Sequence, residues 1–165
     1  MRVSLMLTLA SLAACEDDPG QLHSSPKLKV ITQDMFESQV VNPKTNAVQN
    51  GVWMIKFFAP WCGHCKRLAP AWDDFASQHG DAINVAVIDC DQNELSGICT
   101  MFDVGGYPTI LMLKDRHFYK YKGERTVEAF KAFVDEGYLQ AEKEPMPRKL
   151  EGFDLYMKQF QKFSN

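Results

Sequence analysis

The chain has 165 residues, 45% of them hydrophobic, with a net charge of −3 and a pI near 5.8. That length suits one domain with attachments, and the apolar share can fill an ordinary core. The charge argues against a nucleic-acid binder, which would carry a basic face, and no apolar run reaches the roughly 20 residues that cross a bilayer.

Residues 1–15, MRVSLMLTLASLAAC, read as a secretory signal. Arg2 gives a positive start, and residues 3–14 form a short apolar stretch followed by small residues. Leu-Ala-Ala-Cys at 12–15 also resembles a bacterial lipoprotein cleavage box, with Cys15 as the lipidated residue, and that alternative stays open. Residues 16–26, with Pro-Gly and Ser-Ser, are expected to form a flexible linker. A short strand follows at 27–31, then a short helix capped by Thr32, with Asp34 and Glu37 in its first turns. Residues 41–51 should be a loop. Residues 52–58 form an apolar run broken only by Lys56, which suits a central parallel strand. From Cys62 to about His79 the pattern is helical, with Leu68, Trp72, Phe75 and Ala76 on one side and Pro70 expected to kink it. A buried strand at 83–89 and a short helix at 94–102 come next. Residues 109–113 and 118–121 read as a hairpin around Asp115-Arg116. Thr126 opens a last amphipathic helix with Val127, Phe130, Phe133 and Val134 facing inward. Residues 142–147 break it, and 150–160 look helical again, with Leu150, Phe153, Met157 and Phe160 at helical spacing. Strand–helix alternation ending in a hairpin and a helix predicts an α/β sandwich, with helices on both faces of a mixed sheet.

The chemistry concentrates at Cys62-Gly63-His64-Cys65. A thiolate attacks a disulfide and a thiol does not, so the protein must lower a cysteine pKa. Cys62 at the first turn of a helix meets unpaired backbone N–H groups and the helix dipole, both of which favour an anion. Cys65 lies one turn later. Cys62 is therefore the candidate nucleophile that forms a mixed disulfide, and Cys65 the thiol that resolves it. His64 would stabilise the thiolate further, Gly63 would allow the tight start, and Trp61 would shelter the sulfur and offer an apolar surface to unfolded chains. A zinc knuckle would need a second matched ligand pair, and Cys90 and Cys99 are nine apart. A purely structural bridge between Cys62 and Cys65 would constrain little chain.

The stretch FFAPWCGHCKRLAPAW, followed by GGYPTI, resembles the active domain of the protein disulfide isomerases, within the thioredoxin superfamily. The resemblance covers about residues 27–138. It implies a thioredoxin fold, a three-layer sandwich over 27–140, with a helical extension at 141–165. It also implies that Pro108 is the cis-proline facing the thiols and aligning an incoming peptide, bordered by Gly106, Tyr107 and Thr109. Arg125 matches an arginine that can swing toward the second cysteine. Cys90 and Cys99 match extra cysteines that pair in some relatives, although the interval here is slightly longer. Lys56 departs from the pattern: the family holds a buried acid there, and the lysine that often pairs with it falls near Val87. A buried ammonium is costly and tends to lose its proton. Lys56 is thus a candidate to accept a proton itself as a neutral amine, or to stay charged and favour the Cys65 thiolate, against the alternative that its stem snorkels out.

His23, His79 and His117 read as ordinary surface, Asp73-Asp74 as a solvated face, and Asp89 and Asp91 as turn residues around Cys90. The reading is a thiol–disulfide exchanger for client proteins in the endoplasmic reticulum lumen or secreted, with glutathione or an oxidase as redox partner and no cofactor or metal. The alternatives are a peptide-binding chaperone with weak redox chemistry and a lipid-anchored bacterial thioredoxin. The chain ends in Lys-Phe-Ser-Asn, unlike a Lys-Asp-Glu-Leu retrieval signal, so retention would come from a partner, or the protein would leave the compartment.

Overall fold

The structure, a computed structural model, describes residues 22–148. The signal reading at 1–15, the first part of the linker and the helix expected at 150–160 lie outside the described residues.

The described chain forms β1 (Lys29–Val30), α1 (Gln33–Met35) continued by a wider turn at Phe36–Val40, β2 (Trp53–Phe58), α2 (Gly63–His79), β3 (Asn84–Asp89), α3 (Asn93–Met101), β4 (Thr109–Lys114), β5 (His117–Lys120), α4 (Val127–Asp135) and β6 (Lys143–Pro145). The sheet order is β1-β3-β2-β4-β5-β6. The first three strands run parallel and the last three join antiparallel. This is a thioredoxin fold.

All six residues of β2 are buried, because helices cover both sides of the sheet centre. Strand alternation divides them. Trp53, Ile55 and Phe57 enter a core with Phe36, Leu95, Ile98 and Phe102, on the side of α1 and α3. Met54 and Phe58 enter the opposite core with Cys65, Leu68, Trp72, Phe75, Phe130 and Phe133, under α2 and α4. Lys56 lies between Met54 and Phe58, so its side chain belongs to this second core.

The helix starts follow local chemistry. Thr32 and Thr126 are N-caps whose hydroxyls accept from Met35 N–H and Ala129 N–H. α2 runs through Pro70, whose side is exposed.

Two expectations need correction. Residues 22–26 lie against the domain through Leu22, His23 and Ser25, with Ser24 and Pro26 exposed. Leu22 lies against the second core, His23 is buried, and Ser25 shares a hydrogen bond with Ser77 on α2. Close approach holds this segment near the helix end: a Cβ at Gly80 would meet Lys27 Cβ at 2.8 Å and Ala76 O at 2.5 Å. At the other end, residues 143–145, placed in the extension beyond the domain and expected only to break the last helix, form an edge strand of the sheet on β5. Met146 is buried and donates its N–H to Arg116 O.

Candidate active site

Cys62 is the N-cap of α2, one position earlier than the first turn. Its sulfur accepts the Cys65 backbone N–H at 3.3 Å, so it stands where the helix presents unpaired donors. The Cys62 and Cys65 sulfurs are 2.6 Å apart, roughly half an ångström beyond a covalent disulfide. Both cysteines are free and buried. Gly63 is not required for space, since a Cβ there would meet nothing closer than Arg67 Nη1 at 3.7 Å.

The two thiols are driven apart in acidity. Burial raises the Cys62 thiol, but the hydrogen bond from Cys65 Sγ, the backbone N–H groups of Cys65 and His64, and the Lys56 charge outweigh it, and the net shift is downward. Burial and the hydrogen bond to Cys62 push Cys65 up to about 12. One thiol is made more acidic and its neighbour less so, the division that attack and later resolution require.

Cys62 Sγ also lies 3.5 Å from the Tyr107 carbonyl oxygen. Tyr107 precedes Pro108 across a cis peptide bond, and Thr109 Oγ1 donates to Gly106 O at 2.8 Å in the same loop. Trp61, 67% exposed, meets the Tyr107 ring edge-on at 6.0 Å and donates its indole N–H to Asp91. The Cys62 sulfur therefore lies beside the carbonyl that enters the cis bond to Pro108. His64 is exposed beside Cys62. Arg125 sits on an exposed bend before α4 and makes no hydrogen bond or ion pair with a described residue.

Lys56 does not snorkel: it is fully buried. Its Nζ is 2.9 Å from His23 Nε2 and 5.3 Å from the centre of the Phe58 ring. His23 Nδ1 lies 2.5 Å from Asp73 Oδ1, and Asp73 Oδ2 accepts from the Ser24 N–H and hydroxyl. Burial brings Lys56 down to about 8, against the pull of Cys65, Asp73 and Cys62. Burial and the neighbouring Lys56 also lower His23, against the hydrogen bond and charge of Asp73.

The surface readings of His23 and Asp73 are thereby overturned. A signal for Asp73 existed in the helical period, since Cys65, Ala69, Asp73 and Ala76 fall on one buried stripe of α2. No comparable signal marks His23, which is brought to the site by tertiary packing alone. Asp89 is likewise buried, accepting from Asp91 N–H and the Gln92 side chain. Cys90 and Cys99 are joined by a disulfide tying the end of β3 to α3. Among the described residues no three His, Cys, Asp or Glu side chains converge as a metal site, and no helix is long and apolar enough to cross a membrane.

The thioredoxin family model matches residues 27–136. A thioredoxin domain-containing protein of Theileria parva is 32% identical over 150 residues, covering 90% of this chain and 67% of that protein. Protein disulfide-isomerase 5-1 of Arabidopsis thaliana is 34% identical over 128 residues, 76% of this chain and 80% of that one. Several other curated relatives are longer, and the chain spans only 24% to 35% of their length. Among solved structures, the J-Trx1 fragment of ERdj5 shares the fold with a TM-score of 0.59 and 24% identity, covering 69% of this chain and 51% of that one.

Proposed function

This chain belongs to the thioredoxin family and has protein disulfide-isomerase homologues; from that premise we propose that it exchanges thiols and disulfides in cysteine-containing client proteins. The observation that carries this reading is the close pair of sulfurs with opposed acidities, Cys62 lowered and Cys65 raised.

Cys62 thiolate attacks a client disulfide, forming a Cys62–client bond and releasing one client thiolate, which takes a proton from water. Resolution requires Cys65 to lose its proton. Lys56, which shares the second core with this buried thiol and whose pKa burial brings down to about 8, is the base through its neutral fraction. Cys65 thiolate then attacks Cys62 Sγ, the Cys62–client bond breaks, and the second client thiolate leaves. The reverse sequence donates a disulfide. Glutathione or an oxidase resets the pair.

Trp61, Gly106, Tyr107 and Pro108 form the surface that takes the client backbone. His64 adds positive charge near the sulfur when protonated. Arg125 requires a swing from its exposed bend to reach Cys65. An oxidising compartment of the secretory pathway suits the protein, because the Cys90–Cys99 bond persists under such conditions.

Client trapping tests the assignment. Cys65→Ser should accumulate disulfide-linked client adducts that reductant releases, and Cys62→Ser should form none. Equal adducts from both variants, or none from Cys65→Ser, would remove Cys62 from its role.

A further inference from the structure

The geometry points to a buried relay, Asp73–His23–Lys56, in which Asp73 and His23 act as positioning residues that set the proton affinity of Lys56 Nζ for its exchange with Cys65; this rests on the thiol-exchange reading above.

The hydrogen bonds dictate the arrangement. A carboxylate can only accept, so His23 Nδ1 carries the hydrogen bonded to Asp73 Oδ1 at 2.5 Å. Two donors from Ser24 hold the other carboxylate oxygen. In the neutral imidazole, which burial favours, Nε2 then has a lone pair, and Lys56 Nζ donates to it at 2.9 Å. One Nζ hydrogen is thereby fixed. Across the sheet, Lys56 faces Val87 on β3 and Ile110 on β4, neither of which can share a proton. The titratable groups around it are therefore Cys62, Cys65 and Asp73 from α2 and His23 from the segment before β1.

The proton balance follows. In the mixed disulfide, the Cys65 proton passes to neutral Lys56 Nζ as Cys65 Sγ attacks Cys62 Sγ and the client sulfur departs as thiolate. The new ammonium is held by His23 Nε2 and by the Asp73 charge behind it. Removing that charge leaves the ammonium and the protonated Cys65 thiol each easier to deprotonate.

The test uses the full reduced chain and an aromatic disulfide whose two halves absorb light on release. The first release reports attack by Cys62, the second resolution by Cys65. In Asp73→Asn the pH midpoint of the second release should fall by about one unit, with Asp73→Glu restoring it. Nitrogen NMR of the unaltered protein should show His23 neutral at pH 7 with the proton on Nδ1, independent of how any variant folds. An unmoved second-release midpoint in Asp73→Asn, or a proton on Nε2, would overturn the relay while leaving thiol exchange intact. Absence of the second release in the unaltered protein would overturn thiol exchange, and the relay with it.

Discussion

At the scale of single residues, two neighbouring sulfurs with the same intrinsic chemistry acquire opposite acidities. Cys62 takes the helix-start donors and the Lys56 charge, and Cys65 takes the burial. Alkylation of Cys62 should therefore follow a pH profile with its midpoint below the ordinary cysteine value of about 8.5. Lys56→Met should move that midpoint upward, because the positive charge that favours the thiolate is gone; an unchanged profile would remove Lys56 from the sulfur's electrostatics. Lys56 also links pH to stability. Its folded pKa, about 8, lies below that of an unfolded lysine. Below pH 8 both states are protonated and the folded protein bears the full cost of a buried ammonium. Between pH 8 and roughly 10.4 the unfolded chain binds more protons, so this group makes stability rise with pH. Urea unfolding of the reduced proteins should show the unaltered chain gaining on Lys56→Met by on the order of 2–3 kcal/mol across that window. The comparison is made against the variant because Cys65, raised in the folded state, contributes a fall in stability at higher pH in both.

At the scale of elements, α2 carries the site because its first residues point their free N–H groups at Cys62 while its inner stripe places Cys65 and Asp73 over β2. The helical period announces the apolar part of that stripe, and Asp73 lies on it too. Reading both Asp73 and Asp74 as solvated hides this: adjacent helical residues diverge by about a quarter turn or more, and only Asp74 is exposed. On the other side of the sheet, the Cys90–Cys99 bond ties β3 to α3 across a sequence separation of nine. So short a loop is expected to contribute about 2–3 kcal/mol through the unfolded chain. Replacing both cysteines by alanine should lower the urea stability by about that amount and leave the reactivity of Cys62 unchanged, since the two pairs lie on different elements.

At the scale of the whole molecule, the working unit extends beyond the span matched by the family model, 27–136. His23 and Ser24 precede it, yet they hold Asp73 and Lys56 in a core where no described buried side-chain nitrogen or oxygen lacks a partner. A chain starting at Lys27 leaves a buried carboxylate and a buried amine unmatched. It should be less stable than one starting at Leu22 by about 3 kcal/mol or more, read as a fall in urea midpoint. Equal stability would mean that water or rearrangement replaces the lost partners. After α4, residues 143–145 close the sheet edge against β5, with Lys120 bridging Glu144 at 2.5 Å.

The local sequence determined the elements and the reactive pair. The apolar run of β2, the period of α2, the threonine caps and the spacing of Cys62 and Cys65 are properties of neighbouring residues, so they need nothing distant to be read. Family resemblance supplied Pro108 beside the thiols. The environment of Lys56 was decided only by tertiary structure. A lone lysine in a buried strand declares that it needs acceptors, but it does not say from where, and here they come 33 residues upstream through His23 and from the inner side of a helix through Asp73. Burial and charge compensation depend on three-dimensional neighbours, so they follow from the folded packing and not from the order of residues along the chain.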